Sequence, residues 1–566
     1  MSPDGIVAVS KEEDSAAVES RTHINVAAYL PQIARRQPDL LAVAVACPGK
    51  IGRYVTLTTA ELNRRSDRIA HGLVAMGIGE GVRTVLMVKP SPEFFAITFA
   101  MLKIGAVPVM VDPGMGVRNL GQCLAEARPQ AFIGIPKAHL ARVVLGWARQ
   151  TLKTKLTVGR RILWGGDSLA QLEASAPQGA FPVLEPDPEQ TAAILFTSGS
   201  TGVPKGVVTP HRVFAAQVHL LRTVFGIESG ERDLSTFPLF ALFGPALGMA
   251  SIVPDMDASR PASADPAKLV QALHDFQCTN MFASPALIDK LGRHCEVHQI
   301  RLNTLRRAIS AGAPASIPAL ERFVKFVPEG VEVFTPYGAT EALPVAVLGS
   351  HTILSETRHH TERGGGVCVG KPVASMHVRI LPISEEPVQS WAEEAVLPTG
   401  DIGEICVRGP VVTPSYYNRE DATRRAKIID PAGGIWHRMG DLGYFDGRGR
   451  LWMCGRMAHR LETADGRMYT ISCEAVFNTH RAVFRTALVG VRKRKTIMPV
   501  ICVEREQGVV MTDALLVDEL RGLARAHGHT RRIDTFLVHR ALPVDVRHNA
   551  KIFREKLAVW ASRRLR

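Results

Sequence analysis

The sequence is poor in two residue classes that often reveal the type of a protein. Only 6% of its 566 residues are aromatic, and its nine cysteines are dispersed without a single CxxC pair. This pattern excludes CxxC zinc and dithiol motifs, argues against a disulfide framework and favours reduced thiols in a cytoplasmic protein. We also expect no secretory signal, because the first twenty residues are charged and lack an apolar core.

Long hydrophobic runs are missing as well. The most apolar stretch, residues 94–111, contains Lys103, Gly105 and Pro108, so it predicts a buried helix and strand rather than a membrane span. Hydrophobic residues make up 46% of the chain and charged residues 22%, which excludes a disordered chain. A chain of this length is too long for one simple core, so we expect at least two domains.

Acidic residues are the minority charge. There are 68 Lys and Arg against 54 Asp and Glu, a formal net charge of +14 that is spread thinly along the chain. The only run of four basic residues is 492–495, and zinc-finger spacing and aromatic RNA-binding motifs are both missing. Nucleic-acid binding is therefore disfavoured, and the charge favours an anionic small molecule or a membrane surface as partner.

Hydrophobic periodicity predicts an α/β fold. Apolar residues recur at helical spacing after Thr58 and Thr59, and a strand at 83–88, a helix at 93–104 and a strand at 106–111 follow. Strands that alternate with helices at this rhythm indicate a largely parallel sheet. The character of the sequence changes near 454–456, so we predict a large N-terminal domain at 1–455 and a small α+β lid domain at 456–566.

A loop rich in hydroxyls and glycine follows the predicted buried strand 192–196. Its hydroxyl groups, its exposed glycine amides and its one lysine together form a candidate phosphate cradle. The candidate ligands are Thr197, Ser198, Gly199, Ser200, Thr201, Gly202 and Lys205. A Ser/Gly-rich hairpin turn is the alternative, and an ordinary P-loop is disfavoured because Gly206 follows the lysine.

This loop resembles the phosphate loop of the adenylate-forming superfamily, which includes acyl-CoA synthetases, adenylation domains and luciferases. Further motifs follow in the family's order over about residues 25–560, at 103–108, 310–314, 337–341, 403–410 and 440–441. The resemblance implies a large adenylate-forming domain with a small lid, ATP as the activating substrate and Mg²⁺ as its cation.

The resemblance also implies which residues bind adenosine. Small residues of the 310–314 turn would let the backbone pack against adenine, a tyrosine ring would stack on it, and Asp441 would accept hydrogen bonds from the ribose hydroxyls. The residues assigned in this way are Gly312, Ala313, Pro314, Tyr337, Gly338, Asp441 and Arg456. Seen singly, a turn aspartate and a surface arginine are the simpler interpretations of Asp441 and Arg456.

Three residues are implied as catalytic. Thr340 would contact phosphate, and Glu341 would bind Mg²⁺, since a hard cation prefers carboxylate oxygen beside substrate phosphates. Lys551 matches the lysine of the family's lid and would place a positive charge between the carboxylate and the α-phosphate, where negative charge develops. Seen alone in a basic tail, Lys551 would be taken for a solvated surface lysine.

Departures from the family pattern narrow the function. Ala241 stands where many acyl-CoA synthetases have histidine, and Ala458 stands at the usual hinge aspartate or lysine. The segments 337–345, 356–358, 364–370 and 547–556 resemble olefin β-lactone synthetases more closely. That resemblance implies adenylation of a 2-alkyl-3-hydroxy fatty acid, followed by attack of its β-hydroxyl to release a β-lactone and AMP.

An apolar pocket is expected for the alkyl chains of such an acid. The candidate residues, for which plain core packing is the alternative, are Phe237, Phe240, Phe243, Met249 and Met281. An acyl-CoA ligase and a non-catalytic adenylate-binding scaffold remain as other functions. Partner enzymes of hydrocarbon biosynthesis and transient membrane contact are further expectations.

Overall fold

A sheet of fourteen strands forms the centre of the large part of the protein. The computed structural model describes residues 23–50, 52–197, 204–494, 496–545 and 551–565. In spatial order the strands are His377–Leu381, Gly403–Arg408, Ile435–Phe445, Leu451–Arg456, Val367–Pro372, Ala342–Gly349, Glu332–Ala339, Arg307–Ser310, Asn280–Ala283, Arg232–Ser235, Ala250–Val253, Leu41–Ala46 and Tyr54–Thr58, with Lys427–Ile429 beside Ile435–Phe445. From 41–46 to 332–339 the neighbouring strands are parallel, and the other pairs are antiparallel.

A second sheet has eight strands. In order they are Ser415–Tyr416, Lys205–Pro210, Thr191–Thr197, Val107–Val111, Arg83–Met87, Ala131–Gly134, Thr154–Thr157 and Asp167–Ser168. The strands from 191–197 to 167–168 run parallel, whereas 191–197 and 205–210 are antiparallel, with Thr197 opposite Lys205. The candidate phosphate loop therefore joins the two strands of a hairpin, and its residues 198–203 lie outside the described residues.

Helices cover both sheets and confirm the α/β class. The α-helices are Tyr29–Arg36, Thr59–Ala75, Pro92–Lys103, Val117–Ala127, Pro136–Val144, Leu169–Ser175, His211–Phe225, Pro238–Ala241, Phe243–Leu247, Pro266–Asp275, Pro285–His298, Ile317–Val324, Ser350–Thr352, Arg358–Glu362, Glu420–Ala426, Thr470–Phe477, Asp513–Ala526 and Arg554–Arg564. Short 3₁₀ segments lie at Val26–Ala28, Pro113–Met115, Pro261–Ser263, Glu393–Ala395 and Met457–His459, and a π-helical turn spans Ile353–Thr357.

Local sequence explains where the early helices begin. Thr58 caps the helix Thr59–Ala75 in a capping box with Glu61, which satisfies amide groups that the helix leaves free. Ser91 caps the helix Pro92–Lys103, whose residues are all buried except Glu93. The predicted buried helix and strand at 94–111 are thus confirmed, and within the described residues no helix has both the length and the apolar character of a membrane span.

The C-terminal part builds smaller sheets and its own cores. Strands Leu461–Thr463 and Gly466–Met468 pair with each other, and strands Val483–Lys493, Thr496–Arg505 and Thr535–Val538 form a three-stranded sheet. Apolar clusters lie on both faces of the three-stranded sheet. Arg293 and Arg460 tie this part to the rest through Glu506 at 3.1 Å and Glu385 at 2.7 Å. The boundary between residues 455 and 456 stays a prediction.

Candidate active site

A cavity of about 2350 Å³ opens where the carboxyl ends of strands from both sheets meet. Its wall includes residues at or just beyond the ends of parallel strands, among them Ala46, Val88, Asp112, Phe196, Thr236, Pro254, Ser284 and Ala311. Ligands of open α/β sheets bind at this edge, because loops there are free to carry side chains. The volume exceeds the few hundred to about 1000 Å³ of an ordinary small-molecule pocket.

Many of the predicted site residues lie on the cavity wall. They are Lys205, Phe237, Phe240, Phe243, Gly312, Gly338, Thr340, Glu341, Arg456 and Lys551. Thr197 ends the strand before the loop, and Ala313 and Pro314 follow Gly312 just off the wall. Ser198, Gly199, Ser200, Thr201 and Gly202 are outside the described residues, so the structure says nothing of their predicted roles.

Tyr337 and Asp441 lie behind Arg456. The Tyr337 hydroxyl donates to Asp441 Oδ2 at 2.8 Å, and Arg456 Nε lies 3.1 Å from Asp441 Oδ1. Burial raises the pKa of Asp441, against the opposing effect of Arg456. Among the described residues no donor reaches the buried Oδ1 in hydrogen-bond geometry, Arg456 is its ion-pair partner, and Asp441 itself is not on the cavity wall.

Glu341 is held by a residue that the sequence analysis missed. The Tyr416 hydroxyl donates to Glu341 Oε1 at 2.8 Å, and the Lys205 ammonium lies over the Tyr416 ring, 4.8 Å from its centre. Burial, followed by the charge of Glu341, raises the pKa of Tyr416, so it acts as a neutral donor. Tyr416 belongs to a two-residue strand paired with 205–210, a contact that no local pattern signals.

The Glu341 carboxylate fits the expected Mg²⁺ in kind. It is an oxygen donor on the cavity wall, which Lys205 also lines. Within the described ranges, no three His, Cys, Asp or Glu side chains form a ready-made metal cluster. Substrate phosphates and water would therefore have to complete the coordination, as Mg²⁺ commonly requires.

Lys427 is a second residue that the sequence analysis missed. Its side chain is buried, and Nζ donates to the Thr413 carbonyl at 2.5 Å. Burial lowers its pKa to about 7, and the charge of Glu341 acts in the opposite direction. Opposite it in the sheet lies His437, a wall residue whose Nδ1 is 3.1 Å from the Ala426 carbonyl. The only hint in the sequence is a lysine at the start of the short apolar run Lys427–Ile429.

Lys551 reaches the cavity from the C-terminal part. Burial, and next the nearby Arg456, lower its pKa, while Asp545, Glu341 and Asp441 oppose that shift. Its carbonyl accepts from the Asp545 amide at 2.8 Å, which ties residue 551 to the segment before the undescribed residues 546–550. The structure thus brings Lys551 together with Glu341, Arg456 and Asp441, which are far apart in sequence.

The other end of the cavity is apolar. Phe240 stacks on Phe282 with ring centres 4.1 Å apart, and Phe237 lies 5.9 Å from the same ring. Met249 and Met281, which were also predicted for the acyl pocket, are not on this wall. They are 1% and 0% exposed and pack in hydrophobic core clusters, the alternative that their sequence positions left open.

Comparison with known proteins adds a family and close relatives. The family described as AMP-binding enzyme matches residues 30–417. The olefin beta-lactone synthetase of Stenotrophomonas maltophilia (strain K279a) is 51% identical over 552 residues, which cover 96% of this chain and 98% of that protein. The olefin beta-lactone synthetase of Xanthomonas campestris pv. campestris is 50% identical with the same coverage.

Solved structures share the fold. The amide bond synthetase McbA from Marinactinospora thermotolerans has a TM-score of 0.77 at 22% identity, covering 94% of this chain and 99% of its own. The ATP-bound MatB of Rhodopseudomonas palustris has a TM-score of 0.78 at 20% identity, covering 96% of this chain and all of its own. At such identities the likeness supports the fold alone.

Proposed function

The chain belongs to the AMP-binding enzyme family, and we propose that within this family it acts as an olefin β-lactone synthetase. It is an AMP-forming, acid-activating ligase. Its substrates are ATP and a 2-alkyl-3-hydroxy fatty acid. The carboxylate attacks the α-phosphate and expels diphosphate; the β-hydroxyl oxygen then attacks the activated carbonyl, loses its proton and expels AMP as the β-lactone forms.

The observation that carries this proposal is the convergence of Lys551 with Glu341 and Arg456 on one cavity wall. A cation at Lys551 would offset the negative charge that develops when carboxylate and phosphate oxygens approach each other. Mg²⁺ bound at Glu341 would supply further positive charge beside the phosphates. Asp441, which is paired with Arg456 just behind the cavity wall, would bind the ribose hydroxyls.

Cyclisation needs no second substrate. The β-hydroxyl oxygen is three bonds from the activated carbonyl carbon, so its attack is intramolecular, and holding it in the attacking geometry gives it an advantage over any nucleophile from solution. The carboxylate alone is a poor electrophile, whereas the mixed anhydride with AMP is a strong one. The apolar wall around Phe237, Phe240 and Phe282 would hold an alkyl chain while this attack occurs.

The cavity suits a long acid beside a nucleotide. Its volume of about 2350 Å³ leaves room for both, and Phe94, Phe99 and Leu102 add to its apolar wall. We place the enzyme in the cytoplasm, where its nine free cysteines, eight of them buried, would stay reduced. Other enzymes of hydrocarbon biosynthesis are its proposed partners.

The test is incubation of purified enzyme with ATP, Mg²⁺ and a 2-alkyl-3-hydroxy acid, with and without CoA. We expect AMP and a β-lactone without CoA, identified by mass spectrometry and by the lactone carbonyl stretch. A matched 2-alkyl acid without the hydroxyl is expected to stop at the adenylate. A thioester formed as the sole product, and only with CoA, would instead identify an acyl-CoA ligase.

A further inference from the structure

One stretch of the surface is both apolar and basic. Sixteen large apolar side chains are exposed among the described residues, and six of them fall within 140–163. They are Leu140, Val143, Val144, Leu145, Ile162 and Leu163, the last of which is 96% exposed. Scattered exposed apolar residues are normal, but a group of this kind marks an interaction surface.

The same stretch is free of negative charge. Residues 127–166 contain neither Asp nor Glu, while seven lysines and arginines lie between 137 and 161. The exposed members are Lys137, Arg149, Lys153, Arg160 and Arg161. We name residues 137–163 the apolar–basic surface. Its charge complements an anionic partner, and its apolar tips need a partner that removes them from water.

The two halves of this surface lie side by side. The helix Pro136–Val144 follows strand Ala131–Gly134, and the loop that carries Leu163 follows the neighbouring parallel strand Thr154–Thr157. The Trp164 ring stacks on His139 of that helix at 5.4 Å and donates through Nε1 to Thr157 Oγ1 at 2.9 Å. These contacts hold the loop against the helix, so its apolar tip and the helix face form one surface.

The apolar–basic surface adjoins the cavity. Lys137, Ala138, Ala141 and Trp147 line the cavity wall, and both halves of the surface leave the sheet at the carboxyl edge where the cavity opens. The helix thus has an exposed face and a face toward the cavity. A lipid that enters from this side would meet Ala138, Ala141 and Trp147 on the cavity wall, beside the cation of Lys137.

We propose that the apolar–basic surface docks on a lipid bilayer that carries anionic headgroups and admits the two-chain acid from it. Leu163, with Arg160 and Arg161 just before it, has the pattern of an interfacial anchor: an apolar tip enters the acyl boundary while cations face the phosphates. Each cation near an anionic surface contributes about five-fold in binding, an effect that salt weakens. The bilayer is favoured over an acidic protein because the cavity beneath the surface suits a lipid, a step that rests on the proposed function.

The test is flotation of the full chain with vesicles of equal parts phosphatidylcholine and phosphatidylglycerol, against phosphatidylcholine alone. We expect binding to the anionic vesicles that falls as salt is raised, and a loss of about 25-fold in R160Q/R161Q. Leu163→Ser is expected to weaken binding as well. The matched controls are R563Q/R564Q in the final helix and Val510→Ser, a fully exposed valine of the C-terminal part.

Three outcomes would overturn the proposal: no binding to anionic vesicles, equal losses in the R563Q/R564Q control, or self-association that Leu163→Ser abolishes while vesicles are ignored. A second readout compares turnover of acid supplied in vesicles with acid supplied in detergent micelles. Leu163→Ser should slow only the former. Because flotation does not depend on turnover, failure of the proposed reaction would leave the docking result intact.

Discussion

Two regions of the molecule bury lysine side chains, and they differ in how many hydrogen-bond acceptors each lysine has. Between helices Thr59–Ala75 and Pro92–Lys103, Lys103 Nζ donates to Asp67 Oδ1 at 2.6 Å, Asn63 Oδ1 at 2.8 Å and Ser66 Oγ at 2.8 Å. Near the polar end of the cavity, Lys427 is buried off the wall and, among the described residues, donates to the Thr413 carbonyl alone.

The difference separates a packing role from a chemical one. A buried ammonium that has a carboxylate and two further acceptors is satisfied, and it locks the elements that supply them. Buried lysines without such partners lack a compensating negative charge, and such lysines are typical of sites that bind an anion. Glu341 acts electrostatically on Lys427, Lys551 and Arg456, and Lys551 and Arg456 also face Asp441.

The largest expected effect lies in the Lys103 cluster. Lys103→Met leaves Asp67 buried without its cation and should lower the free energy of unfolding by about 3–5 kcal/mol. Urea unfolding followed by tryptophan fluorescence measures the change. The double variant K103M/D67L, which removes both charges, should recover most of the loss. Turnover per folded molecule should stay unchanged in both variants. A loss of turnover without a matching loss of stability would contradict the packing role of Lys103.

At the polar end of the cavity, removal of a lysine should lower the rate of adenylation rather than the stability. Lys551→Ala is expected to slow ATP–diphosphate exchange by about 100- to 1000-fold, because it removes a charge aimed at the transition state. ATP binding and the unfolding midpoint should change little. The matched control is Lys556→Ala, whose ammonium lies over the Phe553 ring at 4.5 Å. An unchanged exchange rate in Lys551→Ala would refute its catalytic assignment.

The difference between the two kinds of buried lysine can also be tested by the pH dependence of stability at Lys427. Its pKa of about 7 in the folded protein lies below the usual 10.5, so between these values only the unfolded chain holds the proton. Wild-type stability should therefore rise with pH relative to Lys427→Met, by at most about 1.4 kcal/mol per pH unit. Below pH 7 the variant should be the more stable protein, by about 1–3 kcal/mol.

Unfolding curves of the two proteins at pH 6, 7, 8 and 9 check this prediction, with Lys103→Met as the matched variant. A stability difference that stays constant over this range would contradict a buried lysine that loses its proton. If Lys427→Met were less stable than the wild type at pH 6, Lys427 would have a packing role like that of Lys103.

The sequence predicts helices and strands better than it predicts which side chains contact each other. The sequence predicts a helix at 93–104 within the most apolar stretch of the chain, and the structure has it at 92–103. That Lys103 pairs with Asp67, on another helix, depends on how the two helices pack. The site shows the same limit: Glu341 lies in a recognisable motif, whereas Tyr416 and Lys427 reach it from strands of two and three residues. Likewise Phe240 and Met281 look alike as apolar residues, and only packing separates wall from core.

The smallest expected effect concerns the hydrogen bond between Tyr416 and Glu341 at the polar end of the cavity. Tyr416→Phe removes the hydroxyl that holds Glu341 and should slow adenylation about 3- to 10-fold, since one hydrogen bond contributes about 1 kcal/mol. The ring stays beneath Lys205, so Tyr416→Leu, which removes both contacts, should cost more. Tyr417→Phe is the matched control, because its ring faces Arg83 instead. If the control variant were as slow as Tyr416→Phe, the effect would come from the local fold. A difference between them would show that Glu341, unlike Asp67, is positioned by a neutral donor that leaves its charge available to a ligand.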